Sequence, residues 1–290
     1  MACLNSDILF EIGKNLVETG DQEAVYRFGL SGKEPWNALL KVFASVKVVV
    51  LTKEYYSIGW DENRLGNFYF NDSVPHSKAL MNCIGVCVKS LHLFERLPIY
   101  QQILENINAK QQLHTIYVDR LLPSNFFVLN LLKHHSKTLK NVSIPAECMN
   151  NKLQNLLILD SLIFLDYFGT QYCLHNCCKT TTLTLYSQKW KLPGPELIKN
   201  PNFSSVKNLI INFADYGNIL KMPLFPSVER VCYKWNTAGQ LSDLKVQKAL
   251  EQIEASGNVA DKSHPAYYRF PNIIPPGDSD SVEYELILFK

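Results

Sequence analysis

One phrase recurs along this chain: an apolar residue, two others, a second apolar residue, one other, a third apolar residue. It reads Leu113-His-Thr-Ile116-Tyr-Val118 and returns at Leu139/Val142/Ile144, Leu153/Leu156/Ile158, Val206/Leu209/Ile211 and Val228/Val231/Tyr233. Looser copies sit at Phe43/Val46/Val48, Leu65/Phe68/Phe70, Val88/Leu91/Leu93 and Thr180/Leu183/Leu185. The middle positions follow one another at intervals of 22, 23, 25, 26, 14, 27, 26 and 22 residues. With 47% apolar residues the phrase also matches by chance, so the even spacing and the polar stretches between copies carry the weight. Alternating apolar residues make a strand with one buried face. Regular return predicts parallel strands near 46–50, 67–70, 90–94, 115–118, 141–144, 155–159, 182–186, 208–212 and 230–234, joined by right-handed crossovers. The interval of 14 is too short for a parallel crossover, which takes a dozen or more residues between strands.

All intervals but one fall in the roughly 20–29 residue range of leucine-rich repeats, and the phrase resembles theirs. The Asn or Cys that usually follows it is absent; Arg96, Leu121, Glu147, Gln188 and Ala214 hold that place. The resemblance implies an irregular solenoid whose strands form a binding face.

The first ~45 residues differ. Ile8, Leu9, Ile12 and Leu16 line one face of a helix that Asn5 or Ser6 can cap. Asp21 starts a second helix with Val25, Phe28 and Leu30. After Ser31-Gly32, Pro35 opens a third, where Trp36, Leu39, Leu40 and Phe43 are spaced at i, i+3, i+4 and i+7. This opening resembles an F-box. Leu4 stands for the family's opening Leu, Asp7 for its acidic residue, and Leu30-Ser31-Gly32-Lys33 with Trp36 for its break and aromatic anchor. Asn5 replaces the family's Pro, and Glu34-Pro35 is inserted before Trp36. The resemblance implies that Leu4, Ile8, Leu9, Ile12, Leu16, Leu30 and Trp36 contact a Skp-type adaptor of a cullin complex. The repeats would then capture a protein substrate.

The domain reading is therefore 1–45, an F-box-like helical domain; 46–240, degenerate repeats; and 241–290, a cap. The cap comprises a helix over Ser242–Ser256, a loop rich in Pro, Gly, Ser and Asp, and a final strand, Tyr284–Phe289. Helices are also expected at Ile99–Gln112, Pro123–Ser136 and Ser161–Phe168, and a turn or single helical turn at Pro193–Asn200. The fold class is α/β.

The residue between the last two apolar positions of each phrase points away from the core. His92, Tyr117, Ser143, Leu157, Thr184 and Ile210 are the candidate substrate face, with Lys47, Tyr69 and Cys232 in the equivalent places. These types suit a protein partner.

Net charge is +2, from 29 basic and 27 acidic residues, with no basic run or stripe, so no nucleic-acid or anionic-membrane partner is expected. No run of 18 apolar residues and no secretory leader is readable, and a cytoplasmic or nuclear address follows. Sequons at Asn71, Asn141 and Asn202 are then idle. The eight cysteines read as free, packed thiols. Cys173-Leu-His175-Asn-Cys177-Cys178 resembles a zinc cluster but lacks a distant second pair of ligands. Asp160 and Asp166 read as solvated or capping carboxylates. No Gly-rich phosphate loop or nucleophile signature appears. We expect no metal, no disulfide, no cofactor and no enzyme activity. The reading of another class is a leucine-rich-repeat scaffold or ligand-binding protein without a ubiquitin-ligase role.

Overall fold

The structure is a computed structural model, and it describes residues 5–70, 77–119, 125–165, 177–187, 201–213, 230–237, 268–269 and 282–289. It is a mixed α/β fold whose strands are mostly parallel, opened by three helices. The chain divides into two compact units, Met1–Asn141 and Val142–Lys290.

In the first unit, helix α1 spans Ser6–Thr19, α2 Gln22–Leu30 and α3 Lys33–Ser45. Asn5 caps α1 by accepting the Asp7 N–H at 3.0 Å, and Asp21 caps α2 by accepting the Ala24 N–H at 3.0 Å. Gly20 closes α1 with φ 71°, a left-handed position that suits glycine. Leu9 and Val17 of α1, Val25 of α2, and Leu39, Val42 and Phe43 of α3 are buried together.

Strands β1 (Val48–Leu51), β2 (Tyr55–Asp61) and β3 (Arg64–Tyr69) form an antiparallel meander. Asp61 Oδ1 accepts the N–H groups of Asn63 and Arg64 and so shapes the turn between β2 and β3. The helices pack onto this meander. Phe43 meets Phe68 edge-to-face with ring centroids 5.5 Å apart, and Lys14 lies 5.1 Å from the Trp60 ring centre. A Cβ on Gly66 would stand 1.8 Å from the Val17 carbonyl oxygen, so this approach of helix to strand requires glycine.

On its other side β1 pairs in parallel with β4 (Ser90–Leu93), and β4 with β5 (Thr115–Val118). The unit's strand order is β3-β2-β1-β4-β5. Helices α4 (Ser77–Met81), α5 (Gln101–Ala109) and α6 (Asn125–His135) lie between strands in sequence, and a 3-10 turn at Pro98–Tyr100 precedes α5. Asn106 of α5 donates to the Asn82 and Ile84 carbonyls at 2.8 and 2.7 Å, tying α5 to the segment after α4.

Strand β6 (Asn141–Ile144) begins at the last residue of the first unit, and in the second unit β7 (Ile158–Leu165), β8 (Lys179–Ser187), β9 (Asn208–Phe213) and β10 (Arg230–Thr237) follow in order. Beyond them lie β12 (Val282–Phe289) and β11 (Tyr268–Arg269). Pairing is parallel from β7 to β10 and antiparallel at β10–β12 and β11–β12. Helix α7 (Asn151–Leu156) precedes β7, capped by Asn150.

Several expectations need correction. The segment 67–70 is a strand but pairs antiparallel: the turn between β2 and β3 is too short for a crossover. Strand β2 has no counterpart in the phrase pattern. The copy at Leu153/Leu156/Ile158 straddles α7, and the strand is one phrase later, at Leu159/Leu162/Phe164. The expected helix Ser161–Phe168 is therefore strand through Leu165, and its remainder lies outside the described residues. The first phrase likewise shifts to Val46/Val49/Leu51. With these shifts the register is direct: Val49 pairs with Leu91, Leu91 with Ile116, Leu162 with Leu183, Leu183 with Leu209, and Leu209 with Val231. The middle positions 142, 162 and 183 then stand 20 and 21 residues apart, and the anomalous interval disappears. The final strand is present, as β12. The expected helix at Ser242–Ser256 and the turn at Pro193–Asn200 lie outside the described residues.

Candidate protein-docking surfaces

The three helices expose apolar residues that their own packing leaves unused. Ile8 is 49%, Ile12 38% and Leu30 62% exposed, while Leu16 is half-buried. On α1 the exposed stripe runs along one side of the helix, formed by Asp7, Ile8, Glu11, Ile12, Asn15 and Leu16. The opposite side of α1, with Leu9, Gly13 and Val17, faces the core. Leu9 is thus a core residue rather than a docking contact. Trp36 is half-buried; its ring lies about where a Cβ on Gly29 would fall, 3.0 Å away, so it fastens α3 to α2. Leu4 lies outside the described residues.

The second surface is one side of the sheet. Leu91, Leu93, Ile116, Val118, Leu162, Phe164 and Leu183 are fully buried. The residues between them are more open: His92, Tyr117, Ile163 and Ile210 are half-buried. Register places Val50, His92 and Tyr117 in one row in the first unit. In the second unit Ile163, Thr184 and Ile210 form the equivalent row. Ser143 and Thr184 are buried at 8% and 6% exposure, and the Ser143 hydroxyl has no hydrogen-bond partner. Leu157 does not belong to this face. It is fully buried just before β7, a consequence of the shifted phrase, and Ile163 takes its place.

Around His92 the first unit gathers residues that the phrase pattern did not single out. The His92 ring stacks on Tyr117 at 5.6 Å, and Phe94 lies 5.1 Å from Tyr117. From the β2–β3 turn, Glu62 accepts the Ser90 hydroxyl at 3.1 Å and comes within 3.7 Å of His92 Nε2. That same nitrogen is 3.2 Å from the Ser90 oxygen. A Ser–His–acid relay needs nucleophile and acid at opposite ring nitrogens. Here both meet Nε2, and the serine proton is committed to the carboxylate. The trio fixes side chains on a surface and lacks that relay's geometry. Glu62 was unreadable from sequence because the turn that delivers it follows β2, a strand absent from the phrase pattern.

Of the cysteine cluster, Cys177 and Cys178 are described, and both are fully buried. Cys177 Sγ donates to the Cys178 carbonyl at 3.1 Å. Burial pushes the Cys178 thiol up to about 12 and raises Cys177 as well, so neither is a thiolate nucleophile at neutral pH. Among the described residues no group of three or more His, Cys, Asp or Glu side chains is placed to hold a metal, and no helix is long and apolar enough to cross a membrane.

No protein-family model, no curated protein and no solved structure matches the chain.

Proposed function

We propose that the chain is a substrate-recognition subunit of a cullin–RING ligase of the SCF type. The helices α1–α3 dock a Skp-type adaptor, and the strand array acts as an irregular leucine-rich-repeat solenoid that binds a protein substrate on its open face. The observation that carries this reading is the exposed stripe Ile8–Ile12, with Leu30, on a helical unit that is otherwise packed. Exposed aliphatics at i and i+4 form a ridge suited to an apolar groove on a helical partner.

The test uses the full chain, because α1–α3 share a core with the β2–β3 hairpin. Purified Skp-type adaptor should be captured by the parent. Replacing Ile8 and Ile12 with Asp should abolish capture: two charges would be buried in an apolar interface at several kcal/mol, or roughly a thousandfold in affinity. Both side chains are solvent-exposed, so the variant should keep the parent's melting temperature. An unchanged affinity in a folded double variant would sink the adaptor reading.

A second reading is a scaffold or ligand-binding repeat protein in which α1–α3 only cap the array. It draws on the seam at Val17–Gly66 and on Gln22, whose side-chain amide bonds both backbone groups of Tyr69 at the edge of β3, donating at 2.9 Å and accepting at 3.0 Å. A cap must seal an edge in this way. A parent chain that never captures the adaptor selects this reading.

A further inference from the structure

The sequence has no run of basic residues, yet the register assembles a basic row. In the first unit the residue just before each parallel strand is Lys47, Lys89 or His114, and Lys140 precedes β6. The backbone links them step by step in one repeated pattern. The Lys47 carbonyl accepts the N–H groups of Lys89 and Ser90 at 2.8 and 3.0 Å. The Lys89 carbonyl accepts those of His114 and Thr115 at the same two distances, and the His114 carbonyl those of Lys140 and Asn141. Four basic residues of the first unit therefore stand side by side, each just ahead of a strand, with about 4.8 Å from one backbone to the next.

The three lysines are exposed and His114 is half-exposed. Arg27 pairs with Glu23 and His92 with Glu62, and neither pair includes a member of the row. The segment leading into Lys140 adds Lys133, His134 and Lys137, all exposed. Like charges directly across a sheet are destabilising, so an unneutralised row is a cost to the fold that an anionic partner would relieve.

We propose that Lys47, Lys89, His114 and Lys140 form a docking strip for an extended, Asp/Glu-rich segment of the protein that the array recognises; this rests on reading the strands as a protein-recognition surface. The row is one residue wide, one member per strand start, which matches a single extended chain rather than a broad membrane plane. It contains no arginine, the residue whose planar fork clamps phosphate, and Lys is a point charge that pairs with a carboxylate without that geometry. Of the four members only His114 carries a ring, and a nucleobase track needs successive rings to stack on.

The test is fluorescence anisotropy of a labelled peptide of alternating Glu and Ser on the full-length protein. The parent should bind it, and binding should weaken as NaCl is raised. The variant Lys47→Gln, Lys89→Gln, Lys140→Gln should lose roughly tenfold or more in affinity. A charge-matched control, Lys53→Gln, Lys78→Gln, Lys152→Gln, should bind as the parent does. Equal losses in both variants, or no binding by the parent, overturn the strip. Displacement of the peptide by a single-stranded oligonucleotide or phosphatidylserine vesicle that itself binds more tightly overturns the assignment to an acidic protein segment. The row variant should still capture the Skp-type adaptor. Peptide binding without adaptor capture would remove the ligase reading and leave the strip standing.

Discussion

His135 ends α6 and is fully buried, and neither ring nitrogen has a hydrogen-bond partner. Burial, helped by neighbouring His134, lowers its pKa from the ordinary 6.5 to about 4. The folded state thus refuses a proton that the unfolded chain accepts. Stability is unaffected by this residue above pH 6.5 and falls as the pH drops from there toward 4. Between pH 7.5 and 5 the parent should lose about 2 kcal/mol that His135→Leu does not lose, read from urea unfolding at the two pH values. The variant should also be the more stable of the two at pH 7.5, since it removes two unpartnered polar atoms. Gly66 is the second sensitive position. In Gly66→Ala the new carbon would collide with backbone, which cannot rotate aside. A loss of about 3 kcal/mol is expected, with a matching shift in the urea midpoint. Neither residue advertises itself in the sequence: His135 reads as a helix-end cation, and Gly66 depends on a helix that arrives from far along the chain.

Strands show where sequence reading succeeds and where it slips. Ile116/Val118 and Leu209/Ile211 lie on strands β5 and β9, with Leu113 and Val206 just ahead of them, because their polar flanks leave a single register. Leu153–Phe164 offers two overlapping phrases. Asn150 decides between them by capping α7, a choice settled by hydrogen bonds rather than by hydrophobicity. Tyr55–Tyr69 is local hairpin chemistry, set by Thr52 and Asp61, and a search for long-period returns finds β3 but passes over β2 and the antiparallel pairing. The same hairpin makes β3 an edge strand, and Gln22 covers it with a side chain that imitates a peptide group. Gln22→Ala should free the Tyr69 N–H and carbonyl for another strand. Concentration-dependent dimers or larger species should appear in sedimentation velocity beyond those of the parent at the same concentration, with a stability loss of about 1–2 kcal/mol. An unaltered sedimentation profile would mean that the α1–α2 corner shields the edge without it.

At the scale of the molecule, the α/β class and the opening helices were readable from periodicity. The candidate docking surfaces were readable only in part. Ile8 and Ile12 are where a helical wheel puts them, whereas Leu9 differs by one position and lies inside, since neighbours on a helix point 100° apart. The lysine row could have been found by superposing the phrases and reading down the residue after each first apolar position. Scanning along the chain separates those lysines by dozens of residues and hides them.

The placing of β1 beside β4 bears on how the first unit comes together. These two strands are neighbours in the sheet, yet the whole β2–β3 hairpin lies between them in the chain. The hairpin closes over a short loop, in roughly microseconds, whereas the β1–β4 pairing must bring distant segments together. The helices and hairpin therefore offer a surface assembled early, on which the parallel strands are added in chain order. During synthesis the helices and hairpin leave the ribosome before β4 and β5, and they can organise without waiting for those strands.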